Sequence, residues 1–134
     1  MARIIDVEGI GPSYAKKLHK IGIRSTQRLL DVGATRQARL DLAEHTGIPA
    51  KLILEWVNLA DLMRVKGVGE EYSDLLEEAG VDTIKELRNR NPANLYQAIV
   101  ALNKEKRLVR RLPSPAQVRS WVEQAKKLPP VIKH

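Results

Sequence analysis

The chain has 134 residues, 43% of them hydrophobic but only 4% aromatic, and a net charge of +7 from 23 basic and 16 acidic residues. This length suits one domain or two very small ones, and the absence of cysteine excludes structural disulfides and thiolate metal sites. No apolar run approaches the roughly 18 residues of a membrane span, and MARIIDVEG lacks a signal-peptide core, so we expect a cytoplasmic protein without membrane contact.

Start and stop signals divide the first half into four predicted helices. Proline suits the first turn of a helix, serine and threonine suit its N-cap, and glycine suits its left-handed end. Residues of these types recur between amphipathic stretches with helical spacing. The four helices are predicted over residues 12–20, from Ser25 to Leu30, from Thr35 to Gly47 and from Pro49 to Met63.

The second half repeats these signals, and no segment shows the alternation typical of a strand. After a helix equivalent to 12–20, Asp82 or Thr83 caps IKELRN, and Asn91 opens ANLYQAIVALN. Pro113 and Pro115 bound a last helix through about Leu128, and the end PPVIKH is predicted to fray. The fold class is therefore predicted to be all-α.

The two halves also align with each other. At an offset of 58, seven identical pairs coincide, and at an offset of 65 Trp56 coincides with Trp121. The extra residues fall in NKEKRLVRRLPSP. We predict two pseudo-repeated units, residues 1–61 with a basic hairpin and 62–134 with an acidic hairpin and a basic insertion at 103–112, packed into one compact body. The seven pairs match Val7, Gly9, Gly11, Tyr14, Leu18, Gly22 and Leu29 with Val65, Gly67, Gly69, Tyr72, Leu76, Gly80 and Leu87.

The most informative repeated stretch is GIGPSY at residues 9–14, which returns as GVGEEY at residues 67–72. Glycines allow positive φ and a close approach of the backbone. The helix that follows begins with free N–H groups, which together with the helix dipole form an anion site. Where the anion is a nucleic-acid phosphate, such contact carries no sequence information.

These residues resemble the helix-hairpin-helix family. VEGIGPSYAKKLHKIGI is similar to its hairpin signature, and TIKELRNRNPANL is similar to small helical domains of recombinases and of the RNA polymerase alpha subunit. The tandem arrangement over nearly the whole chain resembles a bacterial family of duplicated helix-hairpin-helix units of unassigned function. The resemblance implies a SAM-like fold for each unit. It also implies phosphate contact through the backbone of Gly9, Ile10 and Gly11 and through the side chains of Ser13 and of Lys16 or Lys17. Lys20, further along the same helix, is a further candidate for phosphate contact.

Charge separates the two copies. Residues 9–30 contain five basic residues and no acidic one, a net charge of +5, whereas residues 67–88 contain two basic and seven acidic residues, a net charge of −5. Two solvent-exposed surfaces whose charges changed in opposite directions would explain this reversal without any ligand. The alternative is a functional difference between the copies.

Two functional hypotheses follow. In the first, the basic hairpin binds duplex DNA without sequence preference, and a second basic patch contributes from the insertion. In the second, the acidic face binds a cationic partner protein or the basic hairpin of another copy, which is head-to-tail self-assembly. The second basic patch comprises Lys104, Lys106, Arg107, Arg110 and Arg111. The acidic face comprises Glu70, Glu71, Asp74 and Glu78.

The sequence offers no catalytic constellation. The three histidines lack metal-ligand spacing, and Ser13 has no evident base. Gly-x-Gly here lacks the third glycine of a dinucleotide site and the Lys-Ser/Thr of a P-loop. We therefore predict a non-enzymatic protein with no cofactor, metal or small-molecule substrate. Trp56 and Trp121 are predicted as core anchors.

Overall fold

The computed structural model describes residues 2–134, which form eight α-helices after a short 3-10 helix at Ile4–Asp6. These residues contain no strand beyond an isolated antiparallel bridge between Arg3 and Ser25. The prediction of an all-α fold is therefore confirmed. The helices are α1 Pro12–Lys20, α2 Thr26–Gly33, α3 Arg36–Thr46, α4 Ala50–Leu62, α5 Glu70–Glu78, α6 Ile84–Leu87, α7 Pro92–Lys106 and α8 Pro115–Lys127.

Side-chain caps set most helix starts, as the sequence predicts. Ser25 Oγ accepts a hydrogen bond from the Arg28 amide at 3.1 Å, and Thr83, not Asp82, caps α6. Such caps satisfy backbone N–H groups that have no partner within the helix. The remaining side-chain caps are Thr35 at α3, Asn91 at α7 and Ser114 at α8.

Two helix ends follow the same glycine rule. Gly22 has a φ of +82°, and the Ile23 amide donates to the Leu18 carbonyl at 2.9 Å. Val81 and Leu76 make the equivalent bond beside Gly80, again at 2.9 Å. This arrangement satisfies carbonyls that a helix end leaves free, and it turns the chain sharply after α1 and after α5.

Two helices run longer than predicted. α2 continues past Leu30 to Gly33, and α7 continues to Lys106. The residues added to α7 are good helix formers. Arg107 then ends the helix in a left-handed conformation, with φ +50°, and its amide donates to the Asn103 carbonyl at 2.8 Å. Four of the ten residues of the basic insertion, 103–106, are therefore helical.

The chain divides into two compact units. The first runs to Asp61 and also contains Val131–His134, and the second spans Leu62–Pro130. The sequence predicts a frayed end, but Lys133 is tied down because its amide donates to the Ala34 carbonyl at 2.7 Å. A residue distant in sequence therefore completes the first unit.

Each unit has a buried tryptophan at its centre. Trp56 on α4 and Trp121 on α8 are each 1% exposed, so their prediction as core anchors is confirmed. The ring centroids of Tyr14 and Trp56 lie 5.1 Å apart, and those of Tyr72 and Trp121 lie 5.2 Å apart. Both ring pairs are tilted relative to each other. Tilted aromatic pairs are favourable beyond the area they bury.

Candidate functional site

The Gly9-Ile10-Gly11 loop presents backbone at the surface of the first unit. Gly9 is exposed and has a φ of +90°, which favours glycine. A Cβ atom added at Gly9 would lie 3.2 Å from Nε1 of Trp56, so the loop also rests closely on the core tryptophan. Ile10 is buried, and its amide donates to the Val7 carbonyl at 3.0 Å. The loop is therefore fixed by the core beneath it.

The helix that follows begins with unsatisfied donors. Gly11 is the N-cap of α1, and no side chain caps this end. The first bond within the helix runs from the Ala15 amide to the Gly11 carbonyl at 2.9 Å. Pro12 has no N–H to donate, and the amides of Ser13 and Tyr14 have no acceptor in the helix because they lie in its first turn. The start of α1 can therefore accept an anion.

The side chains predicted for this site share one face of α1. Ser13, Lys16, Lys17 and Lys20 are all exposed. At 3.6 residues per turn these four positions fall within roughly 100° of arc. Ala15 and Leu18 lie on the opposite face and are buried. The structure thus places the four predicted side chains of the first hairpin on one exposed face of α1.

A shallow groove of about 590 Å³ runs beside this face. Two of the predicted lysines line it, while Ser13 and Lys17 do not. Two further residues line it that were not predicted as site residues, His19 and the cationic Arg24. The Arg24 carbonyl accepts a 3.0 Å bond from the Ile4 amide, which holds this segment beside α1. The lining residues are Ile5, Pro12, Ala15, Lys16, His19, Lys20 and Arg24.

The second hairpin keeps the backbone geometry but not the charge. Gly67 has a φ of +97°, and a Cβ atom there would lie 3.3 Å from Nε1 of Trp121. Glu70 and Glu71 occupy the first turn of α5 and are favourable beside its positive end. Leu75, the equivalent of Lys17, is buried. This helix therefore offers phosphate neither positive charge nor the same exposed face.

The acidic helix and the basic insertion meet within the second unit. Lys106 Nζ lies 3.1 Å from Glu78 Oε2, with both side chains substantially exposed. The hydroxyl of Tyr72 donates to the Arg111 carbonyl at 2.9 Å. Two candidate patches that look separate in the sequence are therefore neighbours, and one pair of their charges is already matched.

Asn103 organises the basic insertion. Its Oδ1 accepts from the Val109 amide at 2.9 Å, and its Nδ2 donates to the Val109 carbonyl at 3.2 Å. We expect Asn103→Ala to lower the free energy of unfolding by about 1–2 kcal/mol, because the buried Val109 would lose both partners. Urea denaturation followed by circular dichroism measures this loss. Asn94→Ala, an exposed change on the same helix, is the control, and an equal effect of both changes would contradict the assignment.

Within the described chain, no three histidine, aspartate or glutamate side chains are grouped so that they could hold a metal ion. The helices found in residues 2–134 are all too short or too polar to cross a membrane. No cofactor-binding residues are assigned. The arrangement at the first hairpin is that of an exposed cationic surface around a helix start.

Comparison with known proteins gives one family. The family described as "Domain of unknown function (DUF4332)" matches residues 8–128. This range covers both glycine loops and all eight helices. No solved structure matches the chain.

Proposed function

The chain belongs to the DUF4332 family, a domain of unknown function, and we propose that it is a non-enzymatic protein that binds duplex DNA without sequence preference. In this proposal the first unit contacts the phosphates of the DNA backbone. The amides of Gly9, Gly11 and the start of α1 supply N–H donors, since the Ile10 amide already donates to Val7, and the lysines of α1 supply charge. The resemblance of VEGIGPSYAKKLHKIGI to helix-hairpin-helix signatures supports this proposal.

One observation carries the proposal. Three lysines, Lys16, Lys17 and Lys20, lie on the exposed face that begins at an uncapped helix N-terminus. Lys17 and Lys20 lie in the last turn of α1, where the helix dipole favours a cation, and Lys16 precedes them. A phosphate at the helix start would accept from the free amides, and the lysines would supply positive charge to neighbouring phosphates along the same face.

The cysteine-free composition suits the reducing environment of the cytoplasm, where we propose the protein acts. The charges of the second unit suit a different role. Since the acidic face of α5 would repel phosphate, we assign no DNA contact to it. Lys106 is paired with Glu78, so it is not counted among the phosphate contacts.

A salt titration of the wild-type protein tests the proposal. If three lysines each neutralise one phosphate, the logarithm of the binding constant should fall with the logarithm of salt at a slope of about −2.7. Between 50 and 200 mM salt this slope weakens binding about 40-fold. Fluorescence anisotropy with a random-sequence duplex gives the slope. Absence of binding at 50 mM salt, or binding that salt leaves unchanged, would refute DNA-backbone recognition.

The second candidate function is protein interaction through the oppositely charged hairpins, including head-to-tail self-assembly. It is favoured by the uniform sign of the exposed α5 residues Glu70, Glu71 and Glu78. The pairing of Glu78 with Lys106 reduces the charge available for it. Light scattering at low salt and high protein concentration distinguishes the two, because self-assembly requires a mass that rises with concentration.

A further inference from the structure

Arg39 is a buried cation held by neutral partners. The residue is 4% exposed, and its Nη1 and Nη2 donate to the carbonyls of Gly33 at 2.8 Å and Lys133 at 2.9 Å. Gly33 is the last residue of α2, so the bond to its carbonyl places a cation at the negative end of that helix. A guanidinium has five N–H donors, and these two bonds leave further donors available.

Within residues 2–134, no carboxylate side chain offsets the charge of Arg39. Among the described residues, the guanidinium makes no ion pair with a carboxylate. Burial lowers the pKa of Arg39, and the neighbouring charge of Arg36 lowers it further. Buried charges in proteins are ordinarily paired, because desolvation is costly. An unpaired buried cation beside another cation is therefore an exception that calls for an anion.

Arg39 lines a cavity of about 420 Å³ that is also lined by two other basic side chains, Arg36 and Lys51. Arg36 is the first residue of α3, and Lys51 is the second residue of α4. Both helix starts carry a positive dipole end, where a cation is locally unfavourable. His134 forms another part of the wall, and no acidic side chain lines the cavity. Two cations at unfavourable helix positions, Arg36 and Lys51, therefore line the same cavity. Local departures from favourable charge placement of this kind are expected at functional sites.

We propose that this cavity binds a phosphoryl group, either free phosphate or a phosphate monoester. Arg39 and Arg36 supply guanidinium donors that match phosphate oxygens, and Lys51 supplies a third positive charge. The amides at the start of α4 are further donors. The apolar side chains of Leu40 and Leu54 also line the cavity, and they can contact the organic part of a monoester.

The experiment is isothermal titration of the full chain with inorganic phosphate and, separately, with ribose 5-phosphate at constant ionic strength. Arg36→Gln combined with Lys51→Gln changes two exposed residues and leaves the buried Arg39 in place. We expect this double variant to bind both probes at least about tenfold more weakly. Lys126→Gln combined with Lys127→Gln, which removes the same charge from the exposed end of α8, is the control and should bind both probes as the wild type does.

Tighter binding of ribose 5-phosphate than of phosphate would identify the ligand as a monoester, and equal binding would identify free phosphate. Absence of phosphate binding by the wild type, or equal weakening in both double variants, would overturn the proposal. DNA binding by the same proteins separates this site from the proposed function. The proposal expects Arg36→Gln/Lys51→Gln to retain DNA binding, and its loss together with phosphate binding would overturn a separate pocket.

Discussion

Trp56→Ala is expected to lower the free energy of unfolding of the first unit by about 3–5 kcal/mol, the usual cost of truncating a buried tryptophan. The side chain is 1% exposed and packs against the Tyr14 ring. Its Nε1 also lies beneath the Gly9 loop, where an added Cβ atom would approach within 3.2 Å. Removal leaves a cavity under both the loop and the start of α1. Urea denaturation monitored by circular dichroism gives the free energy.

Trp56→Phe is the matched control for this change. Phenylalanine keeps a ring against Tyr14, so the expected loss is smaller than that of alanine. A loss below about 1 kcal/mol for Trp56→Ala would show that the loop and α1 do not depend on this residue. Trp121→Ala offers the parallel measurement in the second unit, where Gly67 and Tyr72 contact the indole in the same way.

The tryptophan contact also connects stability with the proposed function. Gly9 is held at positive φ and against Trp56, and the chain enters α1 two residues later. The direction of the free amides of α1 therefore depends on a core contact made from α4. This dependence explains why the loop can keep one geometry in both units while the charges around it differ.

The helices could be predicted from the sequence because their signals are local. Ser25 and Thr83 cap the residues three positions ahead of them, and Gly22 ends α1 by its own conformation. The face shared by Lys16 and Lys20 follows from helical periodicity alone. These features need no knowledge of how the helices pack.

Contacts between distant residues could not be predicted in this way. Arg39 lies in a polar stretch, ATRQARLDLAEHTG, that gives no sign of its burial, because its partners include a carbonyl 94 positions away. The ion pair of Lys106 with Glu78 joins residues 28 positions apart. Arg24 enters the groove beside α1 through a backbone bond to Ile4. Each depends on tertiary packing, which residue types and spacing do not specify.

The proposed DNA contact predicts a large effect of reversing charge on α1. Lys16→Glu combined with Lys20→Glu removes two phosphate contacts and is expected to reduce the salt slope from about −2.7 to about −0.9. At 0.1 M salt this loss corresponds to at least about 60-fold weaker binding, before repulsion by the new carboxylates is added. Both residues are exposed, so the fold should tolerate the change. Fluorescence anisotropy with a random-sequence duplex measures both quantities.

The control must change the net charge equally at another place. Lys126→Glu combined with Lys127→Glu does so at the exposed end of α8 in the second unit. If affinity depended only on the overall charge of +7, the two double variants would weaken binding alike, and the assignment to the first hairpin would fail. If the α1 face makes the contact, the α8 variant should keep the wild-type salt slope, because the number of neutralised phosphates sets the slope.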